Sequence, residues 1–462
     1  MQYYLGVDIG TTSVKAVAFD ATGKVLLKYA EENKTIHLKE NYSEQNPENI
    51  FRDTVFCIEE IISRLKYNPQ FISFSAAMHS LIAVDENGNA LTNCILWSDN
   101  RASEIASTLH LKGLAKNIYQ RSGVPVHAMS PLCKIIWLKE NEKEIFNQTH
   151  KFIGIKEFIF YKLGKEFIVD SSIASATGLM NIRTQQWDEE LLSIAGIDQS
   201  KLSTIVFVQH SIILNEIKYI IGASDGALAN LAMDVLDENI LAITIGTSAA
   251  ARITIQQPSV DEQMRLFCYH LKENFFIKGG ASNNGAIVLQ WLKENYLKTN
   301  ETITALLNAA ETVSPGADGL IFLPYVYGER APLWDSNAKE KFIGLKNKHD
   351  KSFIVRAAME GVLYNLLLIK NILNQKNKIS EIHAGGGFAE NPFWVQMLAD
   401  IFNLPVKIFD SNESSALGAV MLEIEIKTEP IKIYQPNKNN HQIYSKQFEK
   451  FKQLVAEKYF IL

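Results

Sequence analysis

The chain has 462 residues, 47% hydrophobic and 21% charged, which excludes a disordered or fibrous polypeptide and leaves room for two to three domains. Lys plus Arg number 46 and Asp plus Glu 51, a net charge of -5, so the charge balance gives no reason to expect nucleic acid as a partner. The 4 cysteines form no CxxC pair, which argues against a disulfide framework or a zinc ribbon and fits a reducing compartment.

The opening run MQYYLGVDIGTTSVK lacks the basic start and long apolar stretch of a secretory signal. Apolar stretches such as LAITIG at 241–246 are expected to fall well short of the ~20 residues of a membrane helix. The expectation is a soluble, cytoplasmic protein with no membrane partner.

Leu5, Val7 and Ile9 alternate with Gly6 and Asp8, Gly10-Thr11-Thr12-Ser13 breaks the run, and 14–19 resumes with a period near two. After a second turn at 20–23 comes 24–29, so the start predicts a three-strand meander with a tight Gly-Thr turn. Helical spacing of Ile50, Val55, Ile58, Ile61 and Leu65 behind Pro47 predicts a helix over 47–65, followed by a short strand at 71–74. Segments 151–163, 284–296, 352–373 and 391–402 predict further helices, and the Lys-, Asn- and Gln-rich run 427–446 a solvated segment before a final helix. Strands alternating with helices imply an α/β architecture.

LGVDIGTTS at 5–13 and LAITIGTSA at 241–249 share Leu, Ile, Gly and Thr in register. Their separation, just over half the chain, points to a duplication that gives each of two domains one hairpin turn at a shared cleft. A boundary near Ile221-Gly222 divides the chain into 1–222 and 223–462.

Two Gly-Thr turns suggest a nucleotide site, because glycine lets backbone approach phosphate while turn N–H groups and Thr hydroxyls donate to it. Asp8 could hold Mg²⁺ through water, although a strand-end turn with a capping Asp reads the same locally. The chain contains neither GxxxxGK[ST] nor an HRD or DFG set, which excludes a Walker-type NTPase and a protein-kinase domain. Gly385-Gly386-Gly387, ahead of a helix starting near Asn391 and Pro392, would let a flat ligand lie on bare backbone, or simply form a strand-to-helix turn. Asp225, among Gly222, Ala223, Ser224 and Gly226, has room for a substrate beside its carboxylate; taken singly, a helix N-cap is the simpler reading. Met78, His79, Trp97, Asp99, Asn100 and Arg101 fall within a short span, a mixture suited to a polyhydroxylated ligand.

Together these elements resemble the FGGY carbohydrate kinases over 4–422. MSPLCKIIWLKEN at 129–141 is similar to one family signature, with Pro131, Lys134 and Trp137 in place. Residues 340–361 resemble the second more loosely, since Glu340 and Phe353 stand where the family usually has small and polar residues. SAAMHSLIAVDENG, ILWSDNRA, IGASDGALANLA and YGERAPLW are most similar to members that phosphorylate gluconate, with Ser80 where xylulose-specific members commonly carry Gly.

The resemblance implies a two-domain actin-like or hexokinase-like (ribonuclease H-like) ATPase fold with a duplicated phosphate-binding hairpin core and an interdomain cleft. It implies Mg²⁺-dependent transfer from ATP to the primary hydroxyl of a small sugar acid, D-gluconate, in a cytoplasmic enzyme that could be a homodimer. Asp225 would then be the catalytic base and Asp8 the Mg²⁺ site. Thr11, Thr12, Lys15, Gly246 and Thr247 would serve the phosphates, and Gly386, Gly387 and Asn391 the adenosine. Met78, His79, Trp97, Asp99 and Arg101 would line the sugar pocket, with Arg101, Lys156, His79 and Arg330 as candidate partners of a substrate carboxylate. The alternatives are a xylulose or other pentose or polyol kinase of the same family, an actin-like ATPase without a sugar substrate, and a non-catalytic sugar sensor.

Overall fold

The structure, a computed structural model, describes residues 2–375, 378–409 and 413–459. Contacts divide the chain into two units, each assembled from separated stretches. Met1–Asp234, Ile255–Ile277 and Glu413–Thr428 form the first; Val235–Thr254, Lys278–Asn412 and Glu429–Leu462 form the second. The position expected for the boundary lies inside the strand Ile217–Ser224, within the first unit.

The meander forms as its alternation requires: Tyr4–Ile9, Ser13–Phe19 and Val25–Glu32 pair antiparallel in sequence. They extend into a 6-stranded sheet in the order Ser211–Leu214, Ile217–Ser224, Ile72–Ala76, Tyr4–Ile9, Ser13–Phe19, Val25–Glu32. The two inner pairings on Ile72–Ala76 are parallel. Leu5, Val7 and Ile9 join a core with Ile58 and Ile61 of the helix Pro47–Leu65, whose bounds match the sequence reading. That helix is capped by Asn46, which accepts from Glu48 and Asn49 N–H ahead of Pro47.

On the sheet's opposite face Tyr4, Val17 and Phe19 pack with Ala416, Leu417 and Val420 of the helix Ser414–Val420. A Cβ at Gly6 would lie 2.2 Å from the Ala416 carbonyl oxygen, so only glycine lets that helix lie so close.

In the second unit Ile240–Ile245 pairs antiparallel with Ala249–Ile255 and parallel with Glu381–Gly385, repeating the arrangement of Tyr4–Ile9 with its neighbours. Val406–Ile408 continues the sheet in parallel, and Lys432–Tyr434 pairs antiparallel with it. Segment 427–446 is therefore not simply a solvated connection: it supplies this strand, and the last helix already begins at Lys438.

Two further expectations are corrected. The helix expected over 151–163 is the helix Ile155–Gly164, because Lys151–Ile153 is claimed as a strand by Ile82–Val84. The apolar stretches are not all short. Helix Lys351–Leu373 has the length and composition to cross a membrane, yet 89% of its apolar window is buried inside the fold. Its burial on all sides, with the Arg356–Glu360 ion pair enclosed, is that of a core helix.

Candidate functional site

Asp8 sits near the end of the first strand, half-buried, where the Ser75 hydroxyl on the adjacent parallel strand donates to it at 2.8 Å. Burial raises its pKa; the Ser75 hydrogen bond and Lys15 act against that rise, and Glu413 adds to it. Lys15 is 3.6 Å from Glu413, so part of its charge is already answered.

The turn after Asp8 closes with Gly10 N–H donating to Ser13 O at 3.0 Å. Its carbonyls are all engaged: Asn33 Nδ2 donates to Gly10 O, Gln45 Nε2 to Thr11 O, and Asn33 N–H to Thr12 O. Occupied carbonyls suit a turn that presents donors to an anion. Gln45, buried at 2% exposure, was not legible as a functional residue, since a lone Gln carries no sequence signal.

The turn is tied to a second loop by Trp97, whose Nε1 donates to Thr11 Oγ1 at 2.9 Å. Met78 and Trp97 ring a water-sized cavity of about 10 Å³ together with Gly10, Thr11 and Gln45. His79 has φ of 68°, a conformation that costs a non-glycine residue free energy and is held here by its surroundings. Its Nδ1 is 2.9 Å from Ala176 O, which places the proton on Nδ1, and Nε2 lies 3.5 Å from the Tyr269 hydroxyl.

The fully buried Lys134 ammonium donates to His79 O, Leu96 O and Ile95 O at 2.6, 2.7 and 3.3 Å, fastening the Met78-His79 loop to the Trp97 loop. Burial pushes its pKa down to about 7. The signature motif contained Lys134, but this clamp becomes visible only in three dimensions.

Asp99 and Arg101 form a closed network. Arg101 donates through Nε and Nη2 to Asp99 at 2.9 and 2.8 Å and through Nη2 to Glu44, while its guanidinium lies 3.9 Å from the Tyr42 ring centroid. Asp99 is fully buried and also accepts from Ser43 N–H at 2.7 Å. Both residues are committed to one another.

Asp225 is the first residue of the helix Asp225–Ala232, following Ser224 as N-cap. The capping position is therefore Ser224 and not Asp225, whose carboxylate accepts from Gly226 N–H at 2.6 Å. A carboxylate in the first helical turn is favoured by the helix dipole.

The second unit repeats the turn device. Gly246 N–H donates to Ser248 O, Ala286 N–H to Gly246 O, and Gly285 N–H to Thr247 O, at 2.9, 2.7 and 3.1 Å. Stretch 285–287 thus does for this turn what Asn33 and Gln45 do for the first, and the sequence reading did not single it out. Gly386 has φ of 94°, and a Cβ there would lie 2.6 Å from Ile245 O; Gly387 opens onto free space. Thr247, Gly387 and Asn391 line a cavity of about 390 Å³ with Ile287, Ile303, Leu307, Phe388 and Trp394, the apolar wall and size of a small-molecule site. Asn391 also caps the helix Pro392–Phe402 by accepting from Trp394 N–H. Arg330, within this unit, donates to Ser282 O at 3.1 Å.

These features agree with what the chain is similar to. A gluconokinase of Bacillus licheniformis is 43% identical over 444 residues, covering 91% of this chain and 86% of the relative. The crystal structure of gluconate kinase from Lactobacillus acidophilus superimposes with a TM-score of 0.94 at 34% identity, and that of a ligand-bound xylulose kinase from the same organism with 0.95 at 34%; each covers 99% of both chains. Residues 3–232 match the N-terminal domain of the FGGY family of carbohydrate kinases and residues 241–424 its C-terminal domain. With both domains matched across most of its length and the duplicated turns in place, the chain belongs to the FGGY family of carbohydrate kinases, a group of enzymes with the two-domain actin-like and hexokinase-like fold.

Proposed function

We propose that this chain transfers the γ-phosphoryl group of ATP to the primary hydroxyl of D-gluconate, giving 6-phosphogluconate and ADP. The observation that carries the reading is Asp225, a carboxylate at a helix start, in the same unit as the His79 and Trp97 loops and within a chain 43% identical to a gluconokinase.

A primary alcohol is too weak an acid to ionise before phosphoryl transfer begins. Asp225 therefore orients the hydroxyl oxygen and accepts its proton late, while positioning and charge stabilisation supply most of the rate. The two closed turns offer N–H groups and the hydroxyls of Thr11, Thr12 and Thr247 to phosphate oxygens. The cavity over Gly387 and Asn391 takes the adenosine.

Mg²⁺ fits the residues present in one manner only. Among the described residues no group of three or more His, Cys, Asp or Glu could hold a metal, so an ion at Asp8 would be held chiefly by phosphates and water. When bound, Mg²⁺ neutralises charge on the transferring phosphoryl group. Asp8 would anchor its hydration shell, and the raised pKa of this half-buried carboxylate is what a neighbouring cation would reverse.

A gluconate carboxylate needs a cationic or hydrogen-bonding partner. Arg101 and Lys156 are already closed onto carboxylates, Asp99 with Glu44 and Asp170 respectively, which disfavours both. A second reading, xylulose, is supported by the equal identity to the Lactobacillus xylulose kinase.

Coupled ADP release with Mg·ATP against gluconate, xylulose, ribulose and glycerol, for wild type and Asp225→Asn, tests the proposal. Turnover on gluconate that is lost in the variant is the expected result. Preference for xylulose would overturn the substrate, and sugar-independent ATP hydrolysis would overturn the kinase reading.

A further inference from the structure

Lys156 belongs to the helix Ile155–Gly164 and was a candidate for the substrate's carboxylate; its surroundings assign it otherwise. Its side chain is 2% exposed, its Nζ stands 2.7 Å from Asp170 Oδ2, and Asp170 is 0% exposed. The same Nζ donates to Ala223 O at 2.9 Å, two residues before Asp225.

Asp170 ends the strand Ile168–Asp170, and its Oδ1 accepts from Ile173 N–H to cap the helix Ser171–Ser175. From that helix Ser172 Oγ lies 2.9 Å from Ser224 Oγ and accepts from Ser224 N–H at 3.2 Å. Two adjacent residues of the strand end, Ala223 and Ser224, are thus fastened from two helices, by Lys156 and by Ser172, immediately before the helix on which Asp225 stands.

We propose that Lys156, held by Asp170, is a positioning residue for Asp225: it anchors the strand-to-helix junction that aims the carboxylate. The inference rests on Asp225 being the base. Lys156 and Asp225 are close enough for their charges to interact. Burial lowers the Lys156 pKa, and Asp170, Glu157 and Asp225 each act to raise it again. His270 also interacts with Asp170 and is bound by Ser171. A buried ammonium already matched to a carboxylate and a carbonyl has no charge to spare for a substrate, yet its field reaches the base.

The test uses Lys156→Met in the full chain, on whichever sugar the wild type phosphorylates, so that failure of the substrate reading and failure of this inference are told apart. Expected are a fall in kcat of about 10–100-fold, KM for sugar and ATP within about twofold, and an acidic limb of the kcat–pH profile moved up by roughly half a unit or more. Because Lys156→Met leaves Asp170 buried without its partner, Lys156→Met/Asp170→Asn is made alongside it. The double variant removes both charges and is expected to show the same loss of kcat at unchanged KM. Folded variants with wild-type kcat and only a lowered Tm would overturn the proposal in favour of a purely structural pair. A rise in KM for the sugar acid with kcat unchanged would overturn it in favour of direct substrate contact.

Discussion

Replacing Lys134 with Met removes a buried ammonium from the clamp over the His79 and Trp97 loops. Burial lowers the Lys134 pKa from 10.5 to about 7, and at 1.36 kcal/mol per unit this corresponds to about 4–5 kcal/mol of cost to hold the charged form in the fold. Against that relief stand the lost hydrogen bonds. Ile95 O keeps the Leu81 N–H and Leu96 O keeps the Asp99 N–H, and the three lost hydrogen bonds from the charged donor together cost about 3–5 kcal/mol. The terms nearly cancel, and Lys134→Met should leave stability within about 2 kcal/mol of wild type, a Tm shift of no more than about 4–8 °C. The two loops lose their common anchor, so KM for the sugar should rise about tenfold or more with KM for ATP unchanged.

The pH dependence gives an independent check. A lysine whose folded pKa lies below its unfolded value binds more protons in the unfolded chain between pH 7 and 10.5, so its contribution to stability rises with pH across that window. Chemical denaturation at pH 7 and pH 9.5 should show this rise in wild type and its loss in Lys134→Met. Severe destabilisation of the variant, or unchanged sugar kinetics, would refute the balance of terms and the clamp.

Asp8→Asn should lower kcat about 10²–10³-fold, since it withdraws the carboxylate proposed to anchor the metal's hydration shell. Because burial raises the Asp8 pKa, the ionised form costs stability above the usual carboxylate range, and the Tm of Asp8→Asn at pH 7.5 should equal or exceed that of wild type. Ile303→Trp, at the wall of the 390 Å³ cavity, should raise KM for ATP by about tenfold, or about 1.4 kcal/mol, and leave KM for the sugar unchanged in the same assay. Glu329→Gln should cost about 1–3 kcal/mol in urea denaturation, because the carboxylate accepts from Ser282, Asn283, Asn284, Arg330 and Asn365 and an amide turns a donor toward them. Burial raises the Glu329 pKa from 4.5 to about 7, so wild type loses stability from this group as pH rises through that interval, and the variant should not.

The strongly periodic elements were legible in the sequence. The meander, the helix Pro47–Leu65 and the second hairpin each announce themselves through alternation, capping and turn chemistry that agree with one another. Short elements were not. Lys151–Ile153 reads as the start of a helix because three residues are too few to fix a period, and Lys432–Tyr434 is hidden by polar neighbours although Val406–Ile408 recruits it. Site residues divided in the same way. Turn residues and Asp225 stand out by local chemistry, whereas Gln45, Asp170, Tyr269 and the 285–287 stretch become meaningful only through partners distant in the chain. The Asp99–Arg101 pair illustrates the converse, since a dense polar cluster suggests a ligand while Glu44, far upstream, completes an ionic network among the residues themselves.

The duplicated hairpins separate what the fold requires from what chemistry requires. Both turns are closed by a glycine N–H, and both have their carbonyls taken up by other protein groups, so the backbone device is common property. At corresponding positions near the strand end the copies diverge, Asp8 in the first and Thr244 in the second. Thr244 accepts from Arg252 at 3.0 Å and leaves no charge to be desolvated, whereas Asp8 is a half-buried carboxylate that accepts from Ser75 and whose pKa is raised by desolvation. A strand end in this architecture therefore has no structural need of a carboxylate, and one retained at a cost to stability points to an attendant cation. On the proposed reading that cation arrives with the nucleotide, which is why the first hairpin carries the charge and the second can do without it.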